Sequence, residues 1–398
     1  MESPFAFFRG TAIVQAHDLS RTPSAGIAVQ SCGDCHLMNF GGFASPERTL
    51  VFDINDFDET LPAPFEWDLK RLATSFVLAT RWRKFGRGDA RAAAEASLRA
   101  YRVKIAELAN MTVLDAWYAR VTFDDLMDQV RKDAQMRKRL GRVVRTANQR
   151  TSEAVFHKIT QKVRGKPRIV DEPPLLYHSH YSETTQQDVV ALFNAYKNTL
   201  PPDRRGLFER YQFVDAAFKV VGVGSVGTLC FVTLWMADND DPLFLQVKQA
   251  RPSVLAGLAG PSTYKNDGER VVVGQRIMQS ASDIFLGWTR GPRGHDFYVR
   301  QLRDHKVALE LATTTPGGLS EYARVCGETL ARAHARSGKA SEINGYIGSS
   351  GKFDNAISEY ATAYADQVEK DFEAFRSATR SGRFPTETSS SEAETAVR

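Results

Sequence analysis

The spacing of apolar residues divides the chain into helical blocks on either side of a β-rich block. Apolar side chains recur at helical intervals over 66–85 and in one segment after another over 89–160. The segment 218–235 is instead rich in β-branched residues and interrupted by glycines, which is typical of a hairpin. The apolar residues of 243–247 predict another strand. Helical spacing returns beyond Gly317. The pattern therefore predicts an α+β protein with a small sheet between two helical blocks.

The same pattern suggests limits for the parts of the chain. We expect the first part of a large helical lobe at 1–205, a small β-rich lobe at 206–312, and the second part of the helical lobe at 313–376. Residues 377–398 are rich in Ser, Thr, Glu and Arg without a periodic pattern, so we expect a disordered tail. The pattern alone leaves open whether the β-rich block is a separate domain or one lobe of a two-lobed protein.

Composition and charge narrow the possible partners. The formal net charge of the 398 residues is only +5, so nucleic acid is not an expected partner. A basic run over 131–150 is either a solvated helix face or a patch for an anionic partner. No apolar stretch reaches the roughly 18 residues of a membrane span, and the start resembles no signal peptide. We expect a reduced, cytoplasmic protein without a membrane partner; the abrupt start at Phe5 is compatible with a longer native N-terminus.

One cluster of polar residues near the N-terminus carries candidate chemistry. Phosphoryl transfer needs a carboxylate that orients the acceptor, oxygen ligands for magnesium, and positive charge on the phosphates. Asp34 is the candidate base, and Asn39 and Asp56 are candidate magnesium ligands, with Asp53 or Asp58 assisting. Asp and Asn are also common in turns, so the cluster alone does not distinguish a catalytic loop from a structural one.

A second cluster lies in the β-rich block. Gly222, Gly224 and Gly227, with Ser225, lie between two predicted strands, and Lys248 ends the next strand. Such a loop lets backbone amides approach phosphates, and the lysine can pair with them as a point charge. A dinucleotide-binding loop would be followed by a helix, whereas a strand follows here. The pattern therefore predicts a nucleotide-phosphate site.

A predicted helix at 269–282 follows Lys248 and begins with Glu269. In kinase-type small lobes such a helix offers a carboxylate to the lysine, which makes Glu269 the candidate partner. The alternative is a surface glutamate whose charge suits the first turn of a helix.

The N-terminal motif resembles a known catalytic segment. Gly33-Asp34-x-His36-x-x-Asn39, Asp56-Phe57-Asp58 and Asp68-Leu69 are similar to the motifs of aminoglycoside-phosphotransferase-like and choline-kinase-like enzymes. In those enzymes a helix ending Leu-Ala-x-Leu-His precedes the motif, and here Leu330 to His334 supplies a similar helix near the C-terminus. The resemblance implies a protein-kinase-like two-lobed fold in circularly permuted order.

The resemblance has three structural implications. Asp68 should hold backbone amides of the Asp34 loop, and the helix carrying 330–334 should lead toward that loop. The ends of the folded body, near Phe5 and Phe375, should lie on the same lobe.

The whole chain also resembles the uncharacterised bacterial family called domain of unknown function 2252. That family has no settled activity, so this second resemblance implies a fold and no substrate. The stretches that carry it are Phe8 to Gly10, Cys32 to Gly41, Asn55 to Thr60, Trp67 to Leu72, Gly222 to Gly227 and Ala331 to Ala335.

The residues and the resemblance together predict an ATP- and magnesium-dependent phosphotransferase acting on an unknown small-molecule or protein acceptor. Two alternatives stay open: an inactive kinase-like protein that senses nucleotides or mediates interactions, and an enzyme of nucleotidyl transfer. Cys32-x-x-Cys35-His36 matches a haem attachment pattern, but the chain shows no export signal. A zinc site at the same two cysteines would need two further ligands.

Overall fold

The computed structural model describes residues 2–131, 133–178, 182–220, 228–302 and 306–383, without the side chains of 182–186. Helices and strands alternate in blocks, which confirms the α+β prediction. None of the helices in these ranges is both long and apolar enough to cross a bilayer. The helices are α1 (Pro4–Arg9), α2 (Ala12–Leu19), α3 (Phe65–Trp82), α4 (Arg87–Ala109), α5 (Val113–Tyr118), α6 (Phe123–Gln129), α7 (Ala134–Asn148), α8 (Ser152–Ile159), α9 (Ser182–Lys197), α10 (Pro202–Phe208), α11 (Asp267–Met278), α12 (Pro316–Ser337), α13 (Ala340–Ile347) and α14 (Lys352–Arg380). The strands are β1 (Ala28–Ser31), β2 (Phe40–Ala44), β3 (Leu50–Ile54), β4 (Leu61–Pro64), β5 (Thr160–Val163), β6 (Lys166–Ile169), β7 (Leu176–Tyr177), β8 (Gln212–Lys219), β9 (Cys230–Ala237), β10 (Asp241–Ala250), β11 (Gly287–Arg290), β12 (Asp296–Gln301) and β13 (Val307–Ala308).

The β-rich block forms a six-stranded antiparallel sheet in the order β11-β12-β10-β9-β8-β7. Lys248 lies on β10, opposite Tyr298 of β12 and Cys230 of β9. The connection between β8 and β9 carries the predicted glycine loop, and Gly222, Gly224, Ser225 and Gly227 lie outside the described residues.

One face of this sheet packs against α9 and α10. Phe193 and Phe208 meet Trp235 of β9, with ring centroids 4.6 and 4.8 Å away. Helix α9 begins at Ser182. Elements that pack on the sheet therefore begin before residue 206, the predicted start of the β-rich lobe. We call this the back face; the opposite face, which carries Lys248, is the front face.

The helical part is built around α3, α4 and α12. Residues from Phe65 to Thr80 of α3 are all buried, and α12 packs along α4. The two helices approach closely at Gly327, where a Cβ atom would lie 2.0 Å from the carbonyl oxygen of Ser97. This close contact depends on the absence of a side chain at Gly327.

The two ends of the chain pack against each other. Phe7 of α1 meets Phe372 and Phe375 of α14, with ring centroids 5.8 and 5.5 Å apart. This contact confirms that the ends of the folded body lie side by side. Helix α14 continues to Arg380, so residues 377–380 are helical and not part of the predicted tail, and 384–398 lie outside the described residues.

Candidate functional site

Helix α3 holds the loop that carries Asp34 through the side chain of Asp68. The carboxylate of Asp68 accepts hydrogen bonds from the backbone amides of Cys32 (2.8 Å) and Gly33 (3.1 Å). Gly33 has φ +77°, and a Cβ atom there would lie 2.3 Å from the carbonyl oxygen of Glu59, so only glycine suits this turn. The predicted structural role of Asp68 is therefore confirmed.

Helix α12 leads to the same loop, as the order of motifs predicted. His334 lies 3.3 Å from Asp68 through Nε2, and its Nδ1 is 2.9 Å from the hydroxyl of Tyr101. At the end of α12, Ser337 Oγ accepts a hydrogen bond of 2.9 Å from the amide of Gln30 in β1. The helix that carries 330–334 thus supports the Asp34 loop although 300 residues of sequence separate them.

Asp34 forms an ion pair that sequence reasoning missed. Arg71 of α3 donates from Nε to Asp34 Oδ1 over 2.6 Å and is itself only 3% exposed. Its other nitrogens donate to the carbonyl oxygen of Phe8 (2.9 Å) and to Gln15 Oε1 (3.0 Å). Asp34 is therefore fixed in orientation by a cation that the N-terminal helices hold in place. The available signal was the position of Arg71 three residues after Asp68, on the same helical face.

His36 is a neutral side chain beside this pair. Burial lowers the pKa of His36 to about 4, and the nearby Asp34 only partly offsets that effect. Its Nδ1 accepts a hydrogen bond of 3.2 Å from the amide of Met38, which requires the proton on Nε2, the atom 3.7 Å from Asp34. His36 therefore caps the loop and does not supply positive charge to it.

Asn39 and Asp56 are adjacent to the Asp34 loop and to each other. Asn39 Nδ2 donates to the carbonyl oxygen of Asp34 (2.8 Å), and the amide of Asn55 donates to the carbonyl oxygen of Asn39 (2.7 Å). The structure thus brings Asp34, Asn39 and Asp56 together. The backbone amide of Asp58 donates a hydrogen bond of 3.2 Å to Asp56 Oδ1.

The donor set at Asn39 and Asp56 suits magnesium. The amide nitrogen of Asn39 is used by the loop, and in the described part of the chain its side-chain oxygen accepts no hydrogen bond. Burial would raise the pKa of Asp56, but Lys248 and Arg300 outweigh it and hold that pKa below its usual range. An ionised carboxylate and an amide oxygen are the hard ligands that magnesium prefers.

Asp53 is a structural residue, which argues against the assisting metal role predicted for it. It is fully buried in β3 and forms an ion pair with Arg332 of α12. Its Oδ2 also accepts from the amide and hydroxyl of Ser280, both at 2.8 Å, and its Oδ1 from the amide of Ile54 at 2.9 Å. Protein donors therefore occupy both oxygens.

Lys248 reaches across from the sheet to the Asp56–Asp58 segment. Its ammonium group forms an ion pair with Asp58 Oδ2, and the hydroxyl of Tyr298 donates to Asp58 Oδ1 over 2.8 Å. Burial alone would lower the pKa of Lys248, but Tyr298, Asp56 and Asp58 raise it well above its usual range. Burial and the neighbouring Asp56 raise the pKa of Asp58. The predicted lysine is thus in direct contact with residues 53–58, which we call the metal loop.

Glu269 is not the partner of Lys248 in the described residues, contrary to the sequence prediction. Gly268 packs against the backbone of β12, where a Cβ atom would meet Phe297 O at 2.2 Å. Arg270, 1% exposed, turns inward to the carbonyl oxygens of Asp58 (2.9 Å) and Thr60 (2.8 Å). Those two neighbours occupy the inner side of the first turn of α11. An arginine therefore fastens this helix to the metal loop.

A cleft of about 730 Å³ lies next to the metal loop and is lined by Asn55, Gln246 and a mixture of charged and apolar side chains. Arg300 of β12 lines it, held by Gln246 Oε1 (3.0 Å) and by the carbonyl oxygen of Asn55 (3.2 Å). Lys306 also lines it, and burial together with the charge of Arg300 lowers the pKa of Lys306 to about 7. Sequence reasoning missed both side chains; Arg300 lies within β12, and Lys306 follows that strand.

Comparison with known proteins identifies a family for the chain. No curated protein and no solved structure matches it. One family model does match, over residues 1–378, and its description is "Uncharacterized protein conserved in bacteria (DUF2252)". The match covers all of the elements described above apart from the last two residues of α14. The chain therefore belongs to this family of uncharacterised bacterial proteins.

Proposed function

We propose that the chain is an ATP- and magnesium-dependent phosphotransferase with a kinase-like, circularly permuted two-lobed fold. The observation that carries the proposal is the contact between Lys248 and Asp58, two residues from Asp56 and 190 residues away in sequence. Kinases place a lysine of the third small-lobe strand and a metal-binding aspartate at the same phosphates. Counted from residue 206, the predicted start of the β-rich lobe, Lys248 lies on the third strand, after β8 and β9.

The order of elements supports the permuted reading. From β8 onward the chain runs through three strands, helix α11, three further strands and α12. Helix α12 then supports the Asp34 loop, and the two chain ends meet at Phe7 and Phe375. Joining those ends gives the order of a kinase: small lobe first, then the supporting helix, the catalytic loop and the metal loop.

In this proposal each residue has one task. Asp34 orients the acceptor hydroxyl and receives its proton as the acceptor oxygen bonds to the γ-phosphorus. The bond from that phosphorus to the β,γ-bridging oxygen breaks, and ADP leaves with the electron pair. Asn39 and Asp56 would hold magnesium, which neutralises phosphate charge when bound. Because Arg71 fixes Asp34, that carboxylate acts mainly by orientation.

A second candidate is a nucleotide-sensing protein without turnover. Two ion pairs favour it: Arg71 occupies the carboxylate of Asp34, and Asp58 occupies the ammonium group of Lys248. Nucleotidyl transfer would use the same groups, with attack at the α-phosphorus, and the released product distinguishes it.

Magnesium-dependent stabilisation by ATP tests the nucleotide site. A ligand that binds only the folded state adds about 2.7 kcal/mol at one hundred times its Kd. We expect ATP with magnesium to raise the Tm, and Lys248→Met to reduce that shift; Lys162→Met, an exposed lysine of β5, is the control. No shift with any nucleotide at millimolar concentration would refute the proposal.

Asp34→Asn separates the enzyme from the sensor. We expect this variant to keep the ATP-dependent shift and to lose release of ADP, measured with water in place of the acceptor. A wild-type shift that needs no magnesium, with no ADP released, would favour the sensor. Release of pyrophosphate instead of ADP would indicate nucleotidyl transfer.

A further inference from the structure

Positive charge is concentrated in one stretch of the chain. Residues 131–168 contain thirteen lysines and arginines, and the acids among them are Asp133 and Glu153. Because the whole chain has a formal net charge of only +5, the rest of the chain is net negative. We call 131–168 the basic segment; it contains α7, α8 and most of the β5–β6 hairpin. The expectation against nucleic acid rested on the net charge, which conceals this region.

The cations of the basic segment are exposed and lack acidic partners. Eleven of them are exposed, Arg139 is half-buried, and Lys132 lies outside the described residues. Two donate to neutral oxygens: Arg139 to Thr315 Oγ1 (3.2 Å), and Arg150 to the carbonyl oxygen of Lys306. Among the residues that the structure describes, none of these cations forms a salt bridge. Their charge is therefore open to an external anion.

Helix α7 is fixed by one side and presents its charge on another. Its apolar residues pack against the main core; they are Leu140, Val143, Val144 and Ala147. Lys138, Arg142 and Arg145 follow at intervals of four and three residues, so they lie on one face of the helix, and all three are exposed. With a rise of 1.5 Å per residue, this basic face extends over roughly 10 Å.

The acidic helix α6 precedes α7 without pairing with it. Its three aspartates, Asp124, Asp125 and Asp128, are exposed. Asp125 caps its own helix, because it accepts from the amide (3.1 Å) and the hydroxyl (2.6 Å) of Thr122. Within the described part of the chain, none of the three forms a salt bridge with a cation of α7. Helix α6 therefore borders the basic face and leaves it unpaired.

The other side chains of the basic segment decide which anion it suits. Helices that bind membrane surfaces insert large apolar side chains, whereas those of α7 pack inside the protein, and Val163 is the one exposed large apolar residue described in the segment. Sites for single-stranded nucleic acid stack bases on aromatic rings. Phe156, the single Phe, Tyr or Trp of the segment, packs against the sheet. Charge and the exposed amides of Gln135 and Asn148 remain for recognition.

We infer that the basic face of α7 binds duplex DNA through its phosphate backbone, without selecting a sequence. Arginine binds phosphate through two parallel hydrogen bonds, and duplex DNA carries a charge about every 1.7 Å, so a face of roughly 10 Å meets several phosphates. The major groove of B-form DNA is about 12 Å wide and admits an α-helix, whereas that of A-form RNA does not. The remaining cations of the segment add to the attraction at longer range. The inference is separate from the proposed function, because it uses neither ATP nor the metal loop.

Fluorescence anisotropy of the full chain with a short labelled DNA duplex, at several salt concentrations, tests the inference. The comparison probes are an RNA duplex of the same sequence, single-stranded DNA, and vesicles of phosphatidylcholine and phosphatidylserine, the last followed by co-sedimentation. We expect the DNA duplex to bind most tightly, with the logarithm of the association constant falling linearly with that of the salt concentration. A second duplex of unrelated sequence should give the same Kd.

Matched variants assign the binding to α7. Each phosphate contact contributes about 0.9 to the salt slope, so the triple variant Lys138→Gln/Arg142→Gln/Arg145→Gln should reduce that slope by about 2–3 and weaken binding. The control Lys352→Gln/Lys370→Gln/Arg380→Gln removes three exposed cations from α14, and its slope should equal that of the wild type. Removal of three cations from the hairpin, in Lys162→Gln/Arg164→Gln/Lys166→Gln, should reduce the slope less than the α7 variant does.

The outcomes leave the inference either supported or overturned. Equal losses in the α7 and α14 variants would show that total charge alone attracts DNA, and a larger loss in the hairpin variant would remove the assignment to α7. Tighter binding of the RNA duplex, the single strand or the vesicles would overturn the choice of partner. Absence of binding to every probe at low salt would overturn the inference and leave the ATP-dependent shift in Tm as a separate question.

Discussion

Asp53→Asn is the sharpest test of how the two aspartates of the metal loop divide their work. Asp53 is buried and accepts from four donors, one of them the guanidinium of Arg332. Each of its oxygens faces two donors, so either orientation of the new amide places an NH₂ group against an N–H or O–H. The substitution also leaves the charge of Arg332 unpaired inside the protein.

The expected cost follows from that geometry. Breaking a buried ion pair by removing one partner costs about 3–5 kcal/mol. Unfolding entropy of about 2.1 cal/mol/K per residue gives about 0.8 kcal/mol/K for 398 residues, so the Tm should fall by about 4–6 °C. Thermal unfolding followed by circular dichroism measures the change. Asp366→Asn is the control, because its partner Arg81 lies 2.6 Å away in an exposed pair.

The same variant answers the metal question. If Asp53 is structural, the folded Asp53→Asn protein keeps the magnesium-dependent shift with ATP, while Asp56→Asn loses it. A fall in Tm no larger than that of Asp366→Asn would refute the structural reading of Asp53. Loss of magnesium dependence in Asp53→Asn, with the fold intact, would return Asp53 to the metal site.

Two further predictions concern packing and pH. Gly327→Ala forces a methyl group into the α4 backbone, which should cost about 1–3 kcal/mol of folding free energy and lower the Tm. Gly345→Ala, with open space around its Cβ, is the control and should not lower the Tm. Equal Tm values for the two variants would contradict this prediction. Hydrogen bonds to Asp215 and Asp171 raise the pKa of His178 above 6.5, so its stabilisation is complete below about pH 6.5 and is lost as pH rises through the raised pKa. Hydrogen exchange of the β5–β6 hairpin should therefore accelerate with pH beyond the intrinsic rate in the wild type, and a His178→Gln protein that shows the same extra acceleration would refute the assignment.

Local motifs were sufficient to predict the framework of the site. The spacing from Asp34 to Asn39 and the Asp68 motif specify a loop and the helix that holds it, because these contacts depend on short stretches of chain. The order of motifs also predicted that α12 would reach the loop. The role of Asp53 could not be assigned from strand parity, because both faces of β3 are buried from Val51 to Ile54.

The partners of the charged residues were not readable from the sequence. Helical periodicity predicts that one face of α11 is buried. It does not show that Gly268 and Arg270, rather than Glu269, face inward in the first turn. The pairing of Lys248 with Asp58 depends on how the sheet rests on the metal loop. Residues 151–178, whose Val155 and Ile169 pack with Phe244 of the sheet, likewise have an ordinary apolar pattern, and no local signal specifies the surface that they cover.

The meeting of α12 with the Asp34 loop has a consequence for synthesis of the protein on the ribosome. Gln30, Asp53 and Asp68 leave the ribosome early, yet their partners Ser337, Arg332 and His334 follow 307, 279 and 266 residues later. At about 5–20 residues per second, that interval is roughly 14–60 s. During it the carboxylates of Asp53 and Asp68 lack these partners. A nascent chain stopped before 316 therefore carries every proposed catalytic residue but cannot complete the site, so partial products of translation are inert.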